Sequence, residues 1–123
     1  MKLPGPDHPI AIAPYPGRVV VRFQGRVVAD TADALALTEA AYPAVLYIPR
    51  SDARLAHFKP SAHRTHCPYK GDASYFDLEA DGARAPNAVW SYEHPFPAMA
   101  AIENRLAFYP DTVEIETVEL GPR

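Results

Sequence analysis

The chain has 123 residues, 48% of them hydrophobic, so it is long and apolar enough to form a globular domain and is not an intrinsically disordered segment. Its net charge of −3 argues against general binding of nucleic acid, which requires a basic surface. A single cysteine, the lack of an apolar run of membrane-spanning length and the lack of an apolar leader together predict a cytoplasmic protein with no membrane partner.

Proline is frequent along the whole chain, at 14 of 123 residues, against a usual share of about 5%. This spread favours short strands and turns over long helices. We expect a proline-rich N-terminal arm over residues 1–16 with a short edge strand at 10–12, one mainly-β domain over residues 17–118, and a tail over residues 119–123.

The first half of the domain is rich in β-branched residues. Residues 18–23 and 26–30 predict a hairpin, although its Gln24-Gly25 turn is a weaker signal than Asn-Gly. Residues 31–41 fit either a helix capped by Thr31 or a turn followed by a strand, and we favour the turn and strand.

Two segments punctuated by proline follow. Residues 44–48 predict a buried strand because Pro43 and Pro49 bound an apolar run. Residues 51–58 predict a short helix that ends before Pro60.

A second hairpin is predicted around Asp81-Gly82, a strong turn signal. Alternation of side-chain character predicts its strands at residues 73–79 and 87–92. In the return strand, the same alternation places Trp90 and Tyr92 on one face.

The C-terminal part predicts a short helical segment at 98–104, a strand at 106–109 and a final edge strand at 113–119 with an acidic outer face. Short strands at this spacing predict a single mainly-β domain, an open barrel-like sandwich with two short helices.

The stretch from Arg64 to Gly71 concentrates reactive side chains, among them the only cysteine. Cations near a thiol favour the thiolate, so Cys67 could be a nucleophile with His66 or Lys70 as the base. The alternative is a buried cysteine that acts as a small apolar residue, and the frequent burial of cysteine favours it.

The histidines and Cys67 are residue types that bind metals, but their spacing in the sequence matches no known metal-binding motif. The chain has neither Cys-x-x-Cys nor His-Glu-x-x-His, and it has no glycine-rich nucleotide loop. We therefore predict no metal site and no cofactor. The residues weighed for a metal are His57, His63, His66, Cys67 and His94.

Three cations are candidates for an anion-binding wall: Arg50, Arg64 and Lys70. Arginine holds phosphate or carboxylate with a planar fork, and lysine acts as a point charge. Equally plausible are surface ion pairs, Arg50 with Asp52 and Lys70 with Asp72.

Aromatic residues on the predicted strands are candidates for a second wall, and the alternative is that they form ordinary core. Tyr75 and the pair Trp90 and Tyr92 lie on successive hairpin arms, so they could share a face. Glu39 follows an apolar run; if it is buried, it needs a cationic partner, for which Arg50 or Lys70 is the natural choice. The other aromatic candidates are Tyr47, Tyr69 and Tyr109.

The chain resembles the DUF427 family, small bacterial and fungal proteins without an assigned function. The resemblance covers residues 17–117 and is carried chiefly by Cys67-Pro68-Tyr69-Lys70-Gly71, by Asn87-Ala88-Val89-Trp90-Ser91-Tyr92 and by Tyr47-Ile48-Pro49-Arg50. It implies a β-tent fold of curved sheets. It also implies one cleft surrounded by the motif residues Glu39, Tyr47, Arg50, Cys67, Lys70, Tyr75, Trp90 and Tyr92.

The family also bears a nucleotidyltransferase-type label. Such chemistry uses paired carboxylates to hold metal ions, and this sequence contains no Asp-x-Asp. The first hypothesis is therefore a domain that binds a small anionic or aromatic ligand, such as a nucleotide. The site residues are predicted to be Glu39, Tyr47, Arg50, Arg64, Tyr69, Lys70, Tyr75, Trp90 and Tyr92. The alternatives are an enzyme that uses Cys67 and Lys70 catalytically, and an interaction protein whose N-terminal arm docks on a partner or in a homodimer.

Overall fold

A computed structural model describes residues 1–119, which form ten β-strands and three short 3-10 helices. Of the expected tail, residues 120–123 lie outside the described residues. The strands are β1 Ile10–Pro14, β2 Gly17–Phe23, β3 Arg26–Thr31, β4 Leu35–Glu39, β5 Val45–Tyr47, β6 Phe58–Cys67, β7 Gly71–Ala80, β8 Ala83–Ser91, β9 Ala107–Phe108 and β10 Glu114–Glu119. The 3-10 helices are Arg50–Asp52, Leu55–His57 and Pro97–Ile102.

The strands form three antiparallel sheets that do not close into a barrel. Their strand orders are β1-β4-β5, β10-β2-β3 and β6-β7-β8-β9. Reciprocal backbone hydrogen bonds of 2.8 Å between Ile48 and Leu106 connect the first sheet to the last. The prediction of a single mainly-β domain is confirmed.

The ambiguous segment after β3 is a turn followed by a strand. The Thr31 hydroxyl accepts the backbone N–H of Asp33 at 2.9 Å and donates to Asp52 at 2.7 Å, so it organises the turn and caps no helix. Strand β4 then pairs with β1 on one side and β5 on the other, and buries Leu37. The edge strand expected at 10–12 is present as β1.

The helix predicted over residues 51–58 is wrong in extent. The chain makes two separate 3-10 helices, between which Ala53 is extended, and Phe58 already begins β6. Pro60 therefore lies inside a strand, which it can do because β6 is at the edge of its sheet. The second predicted helix is the 3-10 helix Pro97–Ile102, which is kinked at Met99.

Two apolar clusters lie on opposite faces of the four-stranded sheet. The first includes Val89 and packs the sheet against β2 and β3, and the second includes the side chain of Trp90 and packs it against β4 and β5. Neighbouring residues serve different clusters because successive side chains of a strand point to opposite faces. The second cluster surrounds the candidate site.

Asp77 stabilises a bulge in the β7-β8 hairpin, where the register shifts between Phe76 and Leu78. Its carboxylate accepts the backbone N–H of Asn87 at 2.8 Å and the Arg84 guanidinium at 2.6 Å. The Asn87 hydrogen bond, and then the Arg84 hydrogen bond, hold the pKa of Asp77 below its ordinary value, although burial opposes them. Asn87 has a φ of 52°, so the Asp77 carboxylate holds a residue whose backbone is in the left-handed conformation.

We expect Asp77→Asn to lower the free energy of unfolding at pH 7 by about 1–3 kcal/mol, because it removes a charged acceptor from two donors. A carboxyl group whose folded pKa is lowered contributes stability above its unfolded pKa, and this is lost as the pH falls through the folded pKa. Below about pH 4, the free energy of unfolding of the variant, measured with urea, should therefore depend less on pH than that of the wild type. The control is Asp111→Asn, which changes an exposed turn carboxylate; an equal effect of both substitutions would contradict this role.

Candidate functional site

A cavity of about 650 Å³ lies between the β1-β4-β5 sheet and the four-stranded sheet. Its wall takes residues from β4, β5, β7, β8 and β9. Its exposed lining residues, which we take as the mouth, come from the β4-β5 turn, residues 109–110 and β10. The lining residues are Leu37, Glu39, Tyr42, Pro43, Ala44, Val45, Leu46, Tyr47, Lys70, Tyr75, Trp90, Tyr92, Phe108, Tyr109, Pro110 and Ile115.

Aromatic side chains form much of this wall. Tyr75 and Trp90 are direct cross-strand partners in β7 and β8, which places them on one face as expected. The Trp90 indole N–H donates to the Tyr47 hydroxyl at 3.3 Å, with the two rings edge to face. Trp90 also packs against Tyr109, with 4.7 Å between ring centroids. These contacts hold the indole in one orientation.

Lys70 and Glu39 form a hydrogen-bonded ion pair in the cavity wall. The Lys70 side chain is only 9% exposed and that of Glu39 is 20% exposed, so water screens the pair weakly. The turn that places Lys70 in the interior requires Gly71, because the φ of 112° at this position is accessible chiefly to glycine. The Lys70 carbonyl accepts the N–H of Phe96 at 2.9 Å and fixes the turn.

The N-terminal segment covers the other side of Glu39. The Nε2 atom of His8 lies 2.7 Å from a Glu39 carboxylate oxygen, and the imidazole stacks on Tyr69 with 4.2 Å between centroids. The Lys2 N–H donates to the Pro68 carbonyl at 2.7 Å, so the arm follows the cysteine loop of its own chain.

The pKa of Glu39 reflects these partners. Burial alone raises the pKa of this carboxyl, but hydrogen bonds from Lys70 and His8 outweigh burial and keep the pKa below its ordinary value. Glu39 is therefore a carboxylate at neutral pH, and the formal charge of the ion pair is zero.

The buried tyrosines remain neutral phenols. Burial raises the pKa of Tyr47 to about 12 and also raises the pKa of Tyr92, and the negative charge of Glu39 adds to both shifts. Neutral hydroxyls can donate a hydrogen bond as well as accept one. Tyr92 makes no side-chain hydrogen bond within residues 1–119 and lines the cavity.

Cys67 does not line the cavity but lies beside Lys70. Its sulfur is 3.6 Å from the Lys70 ammonium, and its side chain packs against the second apolar cluster. His66 is the preceding residue of β6 and points to the opposite face, where its Nδ1 atom pairs with Asp72 at 2.7 Å. Of the two bases considered from the sequence, only Lys70 approaches the sulfur.

Three predicted site residues lie away from the cavity. Arg50 is on the opposite face of the sheet, where it pairs with Glu93 at 3.0 Å and donates to Ser91 at 2.9 Å. Arg64 is exposed and donates to the carbonyls of Ser61 and His63. The third, Tyr69, stacks on His8.

The predicted cluster of cations thus divides between two faces, and Lys70 alone of the three lies in the cavity wall. Glu39 is the partner of Lys70, one of the two choices that the sequence suggested. The alternative surface pairs with Asp52 and Asp72 do not form, since Arg50 pairs with Glu93 and Asp72 with His66.

Several residues at the site were not selected from the sequence. His8 is 31 residues from Glu39 and carries no local signal of the contact. Leu37, Tyr42 and Phe108 line the cavity but look like ordinary strand or turn residues.

Within residues 1–119, no three His, Cys, Asp or Glu side chains are grouped so that they could hold a metal ion. No helix in that range has the length and apolar character needed to cross a membrane.

No curated protein matches the chain. The model of a protein family described as a domain of unknown function, DUF427, matches residues 11–119. The match covers the whole of the cavity wall and every strand except the first residue of β1. The chain therefore belongs to the DUF427 family.

Proposed function

We propose that this protein binds a small molecule with a planar, apolar body in the cavity between its sheets. The observation that carries the proposal is a cavity of about 650 Å³ whose wall includes Tyr47, Tyr75, Trp90 and Tyr92. This volume is within the usual range for ligand pockets, which are mostly apolar with a few polar groups. A planar ring can lie against these aromatic faces and edges.

The charge balance of the wall favours the aromatic part of our expectation over the anionic part. A nucleotide phosphate needs several cationic or backbone donors. Arg50 and Arg64 do not line the cavity, and the charge of Lys70 is compensated by Glu39. An anion at this position would meet the Glu39 carboxylate as well as the ammonium group.

The proposal can be tested with the protein's own fluorophore, because Trp90 is the only tryptophan. A planar aromatic ligand should change Trp90 fluorescence in a saturable way. At ten times its Kd it should stabilise the fold by about 1.4 kcal/mol. This corresponds to a rise in Tm of about 4–6 °C.

Ala44→Phe is expected to weaken this binding at least about tenfold, because the new ring would occupy the cavity mouth. Ala41→Phe is the matched control, since Ala41 is exposed in the same turn but does not line the cavity. The proposal fails if a fragment library shifts neither Tm nor fluorescence, or if both variants weaken binding equally.

A second candidate function, covalent catalysis by Cys67, is supported by its contact with Lys70. A nearby ammonium favours the reactive thiolate. If ligand binding alone is the function, Cys67→Ser should keep the Kd of a cavity ligand within about twofold, and the wild-type thiol should react with iodoacetamide no faster than a free thiol. Rapid alkylation at neutral pH that Lys70→Met abolishes would favour catalysis instead.

A further inference from the structure

The polar part of the cavity wall constrains what the ligand carries on its ring. This argument rests on the proposed function, because it concerns the same cavity. Lys70 and Glu39 line the wall side by side, and each has hydrogen-bonding capacity that the protein does not use.

Lys70 offers a donor. Its ammonium group has three N–H bonds. One meets Glu39 and one points to the Cys67 sulfur at 3.6 Å, a weak acceptor. Within residues 1–119 the third has no acceptor.

Glu39 offers an acceptor beside that donor. A carboxylate has about four lone-pair directions. Lys70 occupies one oxygen and His8 is 2.7 Å from the other, which leaves lone pairs without a donor in the described part of the chain. The wall therefore presents one free donor and at least one free acceptor at adjacent positions.

The Lys70–Glu39 pair carries no net charge, so it favours neither an anionic nor a cationic ligand group. An anion would be attracted by Lys70 but repelled by Glu39, and a cation would meet the reverse, so either would give up its hydration for little net attraction. A neutral group that accepts from Lys70 and donates to Glu39 satisfies both without a charge imbalance.

We infer that the ligand of this cavity is an uncharged planar ring that bears an amide-type edge, with a carbonyl oxygen facing Lys70 and an adjacent N–H facing Glu39. The aromatic side chains of the wall hold the ring, and the ion pair selects the edge. This class differs from the anionic ligand, such as a nucleotide, that the cations of the sequence suggested.

Ligands of nearly equal shape test this inference. Benzamide has both the acceptor and the donor; acetophenone lacks the donor, benzoate is an anion, benzamidinium is a cation, and toluene has no polar edge. In NMR titrations of the wild-type protein, benzamide should bind at least about tenfold tighter than benzoate and benzamidinium. It should also bind several-fold tighter than acetophenone and toluene.

Two reciprocal variants sharpen the test. Glu39→Gln leaves the Lys70 charge uncompensated, so the preference should move towards benzoate. Lys70→Met removes the ammonium partner of Glu39, so the preference should move towards benzamidinium. If either variant does not fold, the wild-type series decides alone.

Each result has a distinct meaning. Tighter binding of benzoate or benzamidinium than of benzamide to the wild type would overturn the inference and leave the proposed cavity function standing. Equal binding of benzamide and acetophenone would overturn the contact with Glu39, and with it the inference. Failure of every probe, toluene included, would defeat the proposed function itself.

Discussion

The ion pair between Lys70 and Glu39 is the interaction on which the candidate site depends. It joins the end of β4 to the turn before β7, so it connects the β1-β4-β5 sheet to the four-stranded sheet in the cavity wall. Burying two charges is unfavourable unless each finds its partner and further hydrogen bonds. Glu39 has these from Lys70 and from His8, which extends the connection to the N-terminal segment.

Two features of the wall oppose closure of the cavity. Large aromatic side chains, among them Tyr47 and Trp90, are held by contacts with each other and do not collapse into the space. Water or a ligand must satisfy the remaining polar capacity of the ion pair and the Tyr92 hydroxyl, and this opposes closure of the cavity by apolar packing. The neutral phenols add directional hydrogen bonds without adding charge.

The division of the four-stranded sheet into two faces separates two polar clusters. On one face is the cavity, and on the other Arg50, Glu93, Ser74 and Ser91 form a hydrogen-bonded group. In this polar group, hydrogen bonding by Ser74 and then the charge of Arg50 lower the pKa of Glu93 against the effect of burial. Arg50 thus belongs to a different surface from Lys70.

Local sequence patterns predict the strands well and the partners of charged residues poorly. Alternation placed Tyr75 with Trp90, and Asp81-Gly82 identified the hairpin turn, because both depend on neighbouring residues. The helix expected at 51–58 failed because Leu55 and Phe58 at a spacing of three fit a 3-10 helix that runs into a strand as well as they fit an α-helix. Contacts such as His8 with Glu39 join distant parts of the chain, which no local period reveals.

A double-mutant cycle at Glu39 and Lys70 tests the central claim most directly. Chemical unfolding of Glu39→Gln, Lys70→Met and the double variant gives the coupling free energy of the pair. The structure predicts a coupling of about 1–3 kcal/mol. Each single substitution removes one partner of the ion pair, so the two single losses of stability should add up to more than the loss in the double variant. Additive effects within about 0.5 kcal/mol would show that the two side chains do not depend on one another, and would contradict this account of the site.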